Sequence, residues 1–223
     1  MASPWHEDHT TDRTRITRHA ERQSCDIKLL HQILDEGLIA HVAILRDGYP
    51  VVLPMTYARD GDSLLVHGST GGGLLRAAAE GREIALTVTI VDGLVYAASL
   101  FDSSMNYRSV MVIGCAVPLD AREKLRAVEV LAQHVMPGRV AEVRPSTTKE
   151  LAATQVLRLS LDEASIKVRT GPPAAPNPQQ SDGQAWSGVV PVTMTFGLPI
   201  RAPDVPAGIQ VPASVKRLGI ARP

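Results

Sequence analysis

Three Asp-Gly dipeptides, each beside runs of apolar and β-branched residues, constrain the fold of this chain more than any other sequence feature. Aspartate and glycine favour the tight turns that join antiparallel strands, so each dipeptide predicts a hairpin. The dipeptides are Asp47-Gly48 between 39–46 and 49–57, Asp60-Gly61 before Ser63–Gly68, and Asp92-Gly93 between 83–91 and 94–101. Consecutive hairpins form a meander, which indicates an antiparallel sheet or barrel.

Other segments carry the spacing of amphipathic helices or return to strand patterns. The predicted helices are 27–34, which stops before Gly37, the second half of 69–80, about 120–134, and about 147–153, where Thr147 and Glu150 fit a capping box. The predicted strands are 107–117, 155–161, 164–169 and, after a proline-rich loop at 171–183, Trp186–Thr195. The pattern predicts a mainly β (α+β) fold, a closed or nearly closed barrel with a few peripheral helices.

The length and composition suit one barrel domain between two polar or proline-rich ends. The chain has 223 residues, and 44% of them are hydrophobic, which suffices for a normal soluble core. We expect an N-terminal arm at 1–24, a barrel domain at 25–198 and a C-terminal tail at 199–223.

Charge and cysteine content narrow the function classes. Lysine plus arginine and aspartate plus glutamate each total 23, so no global charge steers the chain toward nucleic acid or an anionic membrane. Cys25 and Cys115 form no CxxC pair, and no zinc-site spacing is present. The first ten residues lack the apolar core of a secretory signal. We therefore expect a cytoplasmic protein with no metal, nucleic-acid or membrane partner.

The segment His67–Arg76 has the strongest chemical signal, because it predicts a strand, a turn of small residues and a helix. Such a junction presents backbone N–H groups to an anion, and Ser69, Thr70 and Arg76 add further donors. The segment matches neither a Walker motif nor GxGxxG, so a plain flexible turn remains the alternative.

Three other features also have two interpretations. His67 ends a strand and is either a packed histidine or a group suited to proton transfer. Arg108 lies within a strand and makes either an ion pair or a ligand contact. Trp186 either packs in the core or provides a platform for a flat ligand.

At these segments the sequence resembles the pyridoxamine 5′-phosphate oxidase-like superfamily of split β-barrels, in particular its flavin-nucleotide-binding and nitroimidazole-reductase-like branch. The resemblance extends from about Arg18 to Val215. The phrases that carry it are 33–36 with His41, 50–56, 64–69, 87–94, 104–110 with Gly114, 167–172 and 186–191.

The resemblance implies an FMN-binding split β-barrel that forms a homodimer, with FMN in the interface grooves. The FMN phosphate would lie near Ser69, Thr70 and Arg76, with Arg108 and Ser109 nearby. Trp186 would approach the ring from the partner subunit, and Lys167, which matches the family together with Arg169, would touch flavin or support the interface. The remaining implied cofactor-binding residues are Pro54, Met55, Thr56, Tyr57, Thr87, Thr89 and Tyr107.

The sequence departs from the family pattern at two places near the implied site. Relatives often carry a basic residue at the position of Gly73, so the phosphate is expected to be held less firmly here. Relatives also commonly have a His-His pair where this chain has Asp102-Ser103, so substrate or activity is expected to differ.

The resemblance implies an FMN-dependent oxidoreductase that acts on a small, aromatic or nitro-bearing molecule. The position of His67 at the strand end, just before the turn of small residues, predicts that it is the catalytic residue. Electrons would come from a nicotinamide or a partner reductase. Two alternatives stay open. The same groove could hold the deazaflavin F420 or haem, for which His67 or His41 could be the axial ligand. The protein could instead bind flavin without catalysis, as a sensor or carrier.

Overall fold

The computed structural model describes residues 10–175 and 185–218, which form a ten-stranded antiparallel sheet curled into a half-barrel, with five helices around it. The strands are β1 (Gln23–Ser24), β2 (Ile39–Arg46), β3 (Tyr49–Arg59), β4 (Ser63–Ser69), β5 (Glu83–Tyr96), β6 (Ser104–Cys115), β7 (Val117–Pro118), β8 (Thr154–Ser160), β9 (Ala164–Arg169) and β10 (Gly188–Pro191). The helices are α1 (Ile27–Glu36), α2 (Gly73–Ala79), α3 (Ala121–Val135), α4 (Thr148–Ala153) and α5 (Ala213–Leu218). The strand order is β1-β9-β6-β5-β2-β3-β4-β8-β7, and β10 pairs with β5. The predicted fold class is confirmed.

The first two Asp-Gly dipeptides form the predicted hairpin turns. Asp47 and Gly48 have φ values of 52° and 82°, the two successive left-handed residues that a two-residue hairpin turn requires. Asp60-Gly61 connects β3 to β4, with Gly61 at φ 60°.

The prediction of a third hairpin at Asp92-Gly93 is wrong, because β5 continues through it. The register of β5 against β6 shifts between Val91 and Gly93, so the dipeptide forms a β-bulge. The chain instead turns at 97–103, and β6 therefore begins at Ser104, earlier than predicted. A Cβ at position 93 would lie 3.1 Å from the carbonyl oxygen of Val190, so glycine also allows β10 to pair here.

The predicted helices form, and their ends have the expected chemistry. The side chain of Asp26 accepts a hydrogen bond from the backbone of Lys28 at the start of α1, which ends before Gly37. The capping box of Thr147 and Glu150 is present at α4. The last predicted strand is shorter than expected, because only Gly188–Pro191 of it pairs, and the tail contains α5, which was not predicted.

The predicted N-terminal arm and C-terminal tail both contact the barrel domain through residues that the structure describes. β1 pairs with β9, and Arg13 pairs with Glu83 and Glu163. The side chain of Ser214 donates a hydrogen bond to Glu142. The domain boundaries stay a prediction. Three segments lie outside the described residues: 1–9, 219–223 and 176–184, which includes most of the proline-rich loop. None of the described helices has the length and apolar character needed to cross a membrane.

Two clusters of buried side chains fill the fold. The larger occupies the half-barrel and includes Ile33 and Leu34 of α1, and the smaller lies under α3, where Leu65 meets Leu131. Tyr57, predicted to flank a flavin, is fully buried in the larger cluster, and its hydroxyl donates to the carbonyl of Leu34 at 2.7 Å. Burial raises the pKa of the Tyr57 phenol. This side chain is therefore a core residue, which corrects its predicted role.

Arg108 joins the end of α1 to the sheet. Its guanidinium donates to Glu36 at 2.5 and 2.8 Å and to Asp92 at 2.7, 3.0 and 3.3 Å, and only 17% of the side chain is exposed. The hydrogen bonds to Glu36 and to Asp92 raise its pKa. Because two carboxylates engage every donor group, the structure favours the ion-pair interpretation over the predicted phosphate contact.

We predict that Arg108→Gln lowers the free energy of unfolding by about 1–3 kcal/mol, because Glu36 and Asp92 lose their shared cation. Urea unfolding measures this change. Arg126→Gln is the matched control, because Arg126 pairs with Asp60 through a side chain that is 64% exposed and screened by solvent; we expect a smaller loss than for Arg108→Gln. Unchanged stability together with weakened FMN binding would instead restore the phosphate-contact role of Arg108.

Candidate functional site

Most of the predicted cofactor residues share the outer face of the half-barrel. Directly opposed residues on antiparallel strands point to the same side of a sheet, and alternate residues along a strand do so too. The register opposes His41 to both Pro54 and Thr87. The same face continues across β6 and β9, where Thr89 lies opposite Ser109, Ser109 opposite Lys167, and Val91 opposite Tyr107. Thr56 joins this face beside Ile39.

Exposed apolar side chains lie on the same face and define what we call the apolar band. Its members are Ile39, Val52, Val91, Leu94 and Tyr96, each between 37% and 55% exposed. Neighbouring apolar side chains in this number are unusual on a free surface and mark a place where a ligand or another chain binds. The band gives the predicted cofactor residues an apolar setting suited to a flat ring.

His67 lies at the edge of this face, near the end of β4. Alternation puts it on the same side of β4 as Leu65, which packs under α3, so the imidazole is half-buried. Its Nδ1 is buried and has no hydrogen-bond partner among the described residues. Burial lowers the pKa of His67, which favours the neutral imidazole at neutral pH. A neutral ring with an unpaired buried nitrogen can accept or donate one hydrogen bond to a ligand.

Residues 69–73, which we call the glycine turn, connect β4 to α2 as predicted. The Ser69 hydroxyl accepts a hydrogen bond from Gly71, and the Ser69 carbonyl accepts one from Gly72. α2 begins at Gly73 without a side-chain cap. Arg76 lies one helical turn after Gly73 on an exposed position. The turn is therefore ordered and polar, with Ser69 and Thr70 at its start.

Sequence reasoning missed Arg46, the last residue of β2. A Cβ built on Gly73 would lie 2.9 Å from Arg46 Nη1, so the guanidinium stands beside the glycine turn. Twenty-seven positions separate the two residues in sequence, and no motif spacing connects them. Only the packing of α2 against the end of the β2–β3 hairpin could have revealed this neighbour.

Met55 differs from its predicted setting, and the structure decides between the two interpretations of Trp186. Met55 faces inward and packs against the barrel core, close to Gly68. Trp186 is 67% exposed and lies 6.0 Å from the Tyr96 ring, measured between ring centroids, so it is not a core residue. Its ring covers Gly188, where a Cβ would approach it to 2.8 Å. Trp186 thus extends the apolar band within its own protomer.

Asp102 and Ser103, which replace the His-His pair of relatives, build the turn between β5 and β6. Asp102 accepts a hydrogen bond from the Ser99 hydroxyl at 2.6 Å, and Ser103 donates to the Ser99 carbonyl at 2.8 Å. These bonds hold Leu100 and Phe101 at the tip, where both are more than 90% exposed. The departure from the family pattern thus has a local structural role. No three His, Cys, Asp or Glu side chains in the described part of the chain are grouped to hold a metal ion.

Two solved structures resemble this chain over nearly their whole lengths. The FAD and heme binding protein from Mycobacterium smegmatis is 42% identical, with a TM-score of 0.85; the match covers 88% of this chain and 97% of that one. The flavocytochrome Anf3 from Azotobacter vinelandii is 34% identical, with a TM-score of 0.87, over 93% of this chain and 97% of that one.

A more distant structure shares the fold. It is a putative 5-nitroimidazole antibiotic resistance protein from Bacteroides thetaiotaomicron, 22% identical over 66% of this chain and 86% of that one, with a TM-score of 0.56. None of the curated proteins matches the sequence. The family model described as pyridoxamine 5′-phosphate oxidase matches residues 26–168, which is well over half of the chain. With the split-barrel fold and the two near-full-length relatives, this match shows that the chain belongs to the pyridoxamine 5′-phosphate oxidase family.

Proposed function

We propose that this protein binds a flavin nucleotide on the outer face of the half-barrel and takes part in a redox reaction. The observation that carries the proposal is the apolar band beside the hydroxyls of Thr56 and Thr89 on the outer face, which His67 also borders on β4, the strand that leads into the glycine turn. A flavin nucleotide has the matching chemistry, a flat apolar ring joined to an anionic phosphate. The relatives support the proposal, because one is named as an FAD and heme binding protein and another as a flavocytochrome.

The residues present fit a flavin. The outer-face hydroxyls of Thr56 and Thr89 are available near the ring, and Ser69 and Thr70 would hold the phosphate with Arg76. The unpaired Nδ1 of His67 is a buried polar atom that a ligand would satisfy. FMN and FAD share the ring and the first phosphate, so the same residues serve either nucleotide.

A bound flavin would supply electron transfer, and this chain would position it and exclude water. The apolar band would shield one side of the ring. His67 would accept a proton at its Nδ1, because burial lowers the pKa of the imidazole and keeps it in the neutral, proton-accepting form. A small aromatic or nitro-bearing substrate would stack on the open side, with electrons from a nicotinamide or a partner reductase. In this form the protein is a cytoplasmic oxidoreductase.

Haem beside the flavin is a second candidate, favoured by the two near-full-length relatives. Haem needs an axial ligand, and two histidines of the outer surface qualify by position. His41 is exposed on β2, opposite Pro54 and Thr87, and His67 is half-buried with an unpaired nitrogen. With haem the protein would be an electron carrier or sensor rather than an enzyme acting on a small molecule; F420 remains the third possible occupant of the groove.

A homodimer would complete the site. A flat ring on the convex side of a half-barrel stays exposed unless something covers it, and the apolar band extends to Tyr96 and Trp186 at the edge of β5. A second copy of the chain would cover both the band and the ring. We therefore place the cofactor at the interface of two subunits.

We predict that the protein binds FMN or FAD at least tenfold more tightly than riboflavin, because riboflavin lacks the phosphate and each charge-assisted contact contributes about 1.5–3 kcal/mol. Flavin fluorescence titration of the cofactor-free protein measures the three dissociation constants. Equal affinity for the nucleotides and riboflavin would overturn the assignment of the glycine turn as a phosphate site.

We predict that His67→Ala keeps flavin absorbance but loses turnover, because one imidazole contact is a small part of flavin binding whereas the imidazole is the group proposed to carry the proton. His41→Ala is the matched control, and it should keep both. A visible spectrum of each variant tests the haem alternative. If the protein is loaded with haem and only one variant loses the Soret band, the histidine substituted in that variant is the axial ligand. Full turnover in His67→Ala would remove His67 from any catalytic role.

We predict that Trp186→Ala weakens flavin binding and dimerisation while changing protomer stability by less than about 1 kcal/mol, because the side chain is 67% exposed and outside the core. Light scattering and flavin titration measure the two effects. A monomeric unmodified protein with full flavin occupancy would contradict the interface site.

A further inference from the structure

Arg46 places its guanidinium where a side chain at position 73 would begin. The 2.9 Å separation between Arg46 Nη1 and a Cβ built on Gly73 leaves no room for both groups without a shift of the arginine. Glycine at position 73 therefore allows Arg46 to lie against the start of α2.

The fold explains why Arg46 is directed to this place. Alternation along β2 puts Ala40, Val42 and Ile44 on the barrel side, where all three are buried, and Arg46 continues that side at the end of the strand. α2 closes this end of the barrel with Leu74 and Leu75. The Arg46 side chain accordingly reaches α2, where its Nη1 lies beside Gly73.

Arg46 has no acidic partner among the residues that the structure describes. The same holds for Arg76, one turn after Gly73 on the same side of α2. Other arginines of the fold, Arg59, Arg108 and Arg126, each pair with a carboxylate. Two arginines without a carboxylate partner near one polar turn leave local positive charge there, which a bound anion would compensate.

We propose that Arg46 is a phosphate-binding residue of the nucleotide site and supplies, from β2, the cation that the chain lacks at position 73. This inference rests on the proposed flavin function. The guanidinium would hold the phosphate ester in a bidentate contact opposite Arg76, with the hydroxyls of Ser69 and Thr70 as further donors. Specificity for a nucleotide over riboflavin would then depend on Arg46.

Arg46→Ala tests the proposal. The dissociation constants of FMN and FAD should rise about 10- to 100-fold, while that of riboflavin should change less than twofold. Arg82→Ala is the matched control, because Arg82 is an exposed arginine just after the other end of α2 with no ion pair among the described residues. It should leave all three constants unchanged.

A double variant that moves the positive charge from position 46 to position 73 makes the test specific for the location of that charge. In Arg46→Ala/Gly73→Lys the ammonium group returns to the same place from the helix, and the preference for FMN over riboflavin should be largely restored. Gly73 has no positive φ, so a side chain is compatible with its backbone. Loss of nucleotide preference in Arg46→Ala together with recovery in the double variant supports the proposal.

Two results separate failure of this inference from failure of the proposed function. If the unmodified protein prefers FMN or FAD over riboflavin and Arg46→Ala keeps that preference, Arg46 does not bind the phosphate and the flavin function stands. If the unmodified protein binds no flavin, the proposed function itself fails. Circular dichroism of each variant checks that the fold is intact, and a misfolded Arg46→Ala is replaced by Arg46→Gln.

Discussion

The pairing of β5 is the constraint on which the rest of the structure depends. This one strand pairs along its whole length with β6, while its other edge is shared between β2, at 84–87, and β10, at 93–96. The bulge at Asp92-Gly93 separates the two partners and bends the strand between them. Glycine at position 93 favours the pairing of β10, because a Cβ there would lie 3.1 Å from the Val190 carbonyl oxygen; the same pairing places Gly188 opposite Tyr96 of the apolar band.

Local chemistry predicted much of this fold, and its one clear error is instructive. The turns at Asp47-Gly48 and Asp60-Gly61, the stop of α1 before Gly37 and the capping box of α4 depend on neighbours within a few residues. Asp92-Gly93 has the same residues but forms a bulge within β5, where the missing side chain of Gly93 leaves room for β10 to pair. The difference lies in the partner strands, which a dipeptide does not encode.

The site was harder to predict, because its charges are arranged by packing between distant segments. Alternation correctly separates Ser109 from Arg108 on the two faces of β6, but only the fold shows that Glu36 and Asp92 surround that arginine. Nothing in the sequence distinguishes Tyr57 from its outward-facing neighbours, yet its hydroxyl donates a hydrogen bond to the carbonyl of Leu34 in α1. The family resemblance identified the region of the site, and the structure showed which of its residues are buried, paired or exposed.

The structure separates two kinds of arginine near the predicted site. Arg108 is held by carboxylate partners, whereas Arg46 and Arg76 have none among the described residues. A paired guanidinium such as Arg108 would have to release two carboxylates before it could bind a phosphate, which costs most of the energy that the new contact gains. Arg46 and Arg76 have no such cost among the described residues. An anionic cofactor would therefore bind more readily where the fold leaves positive charge uncompensated, beside the glycine turn.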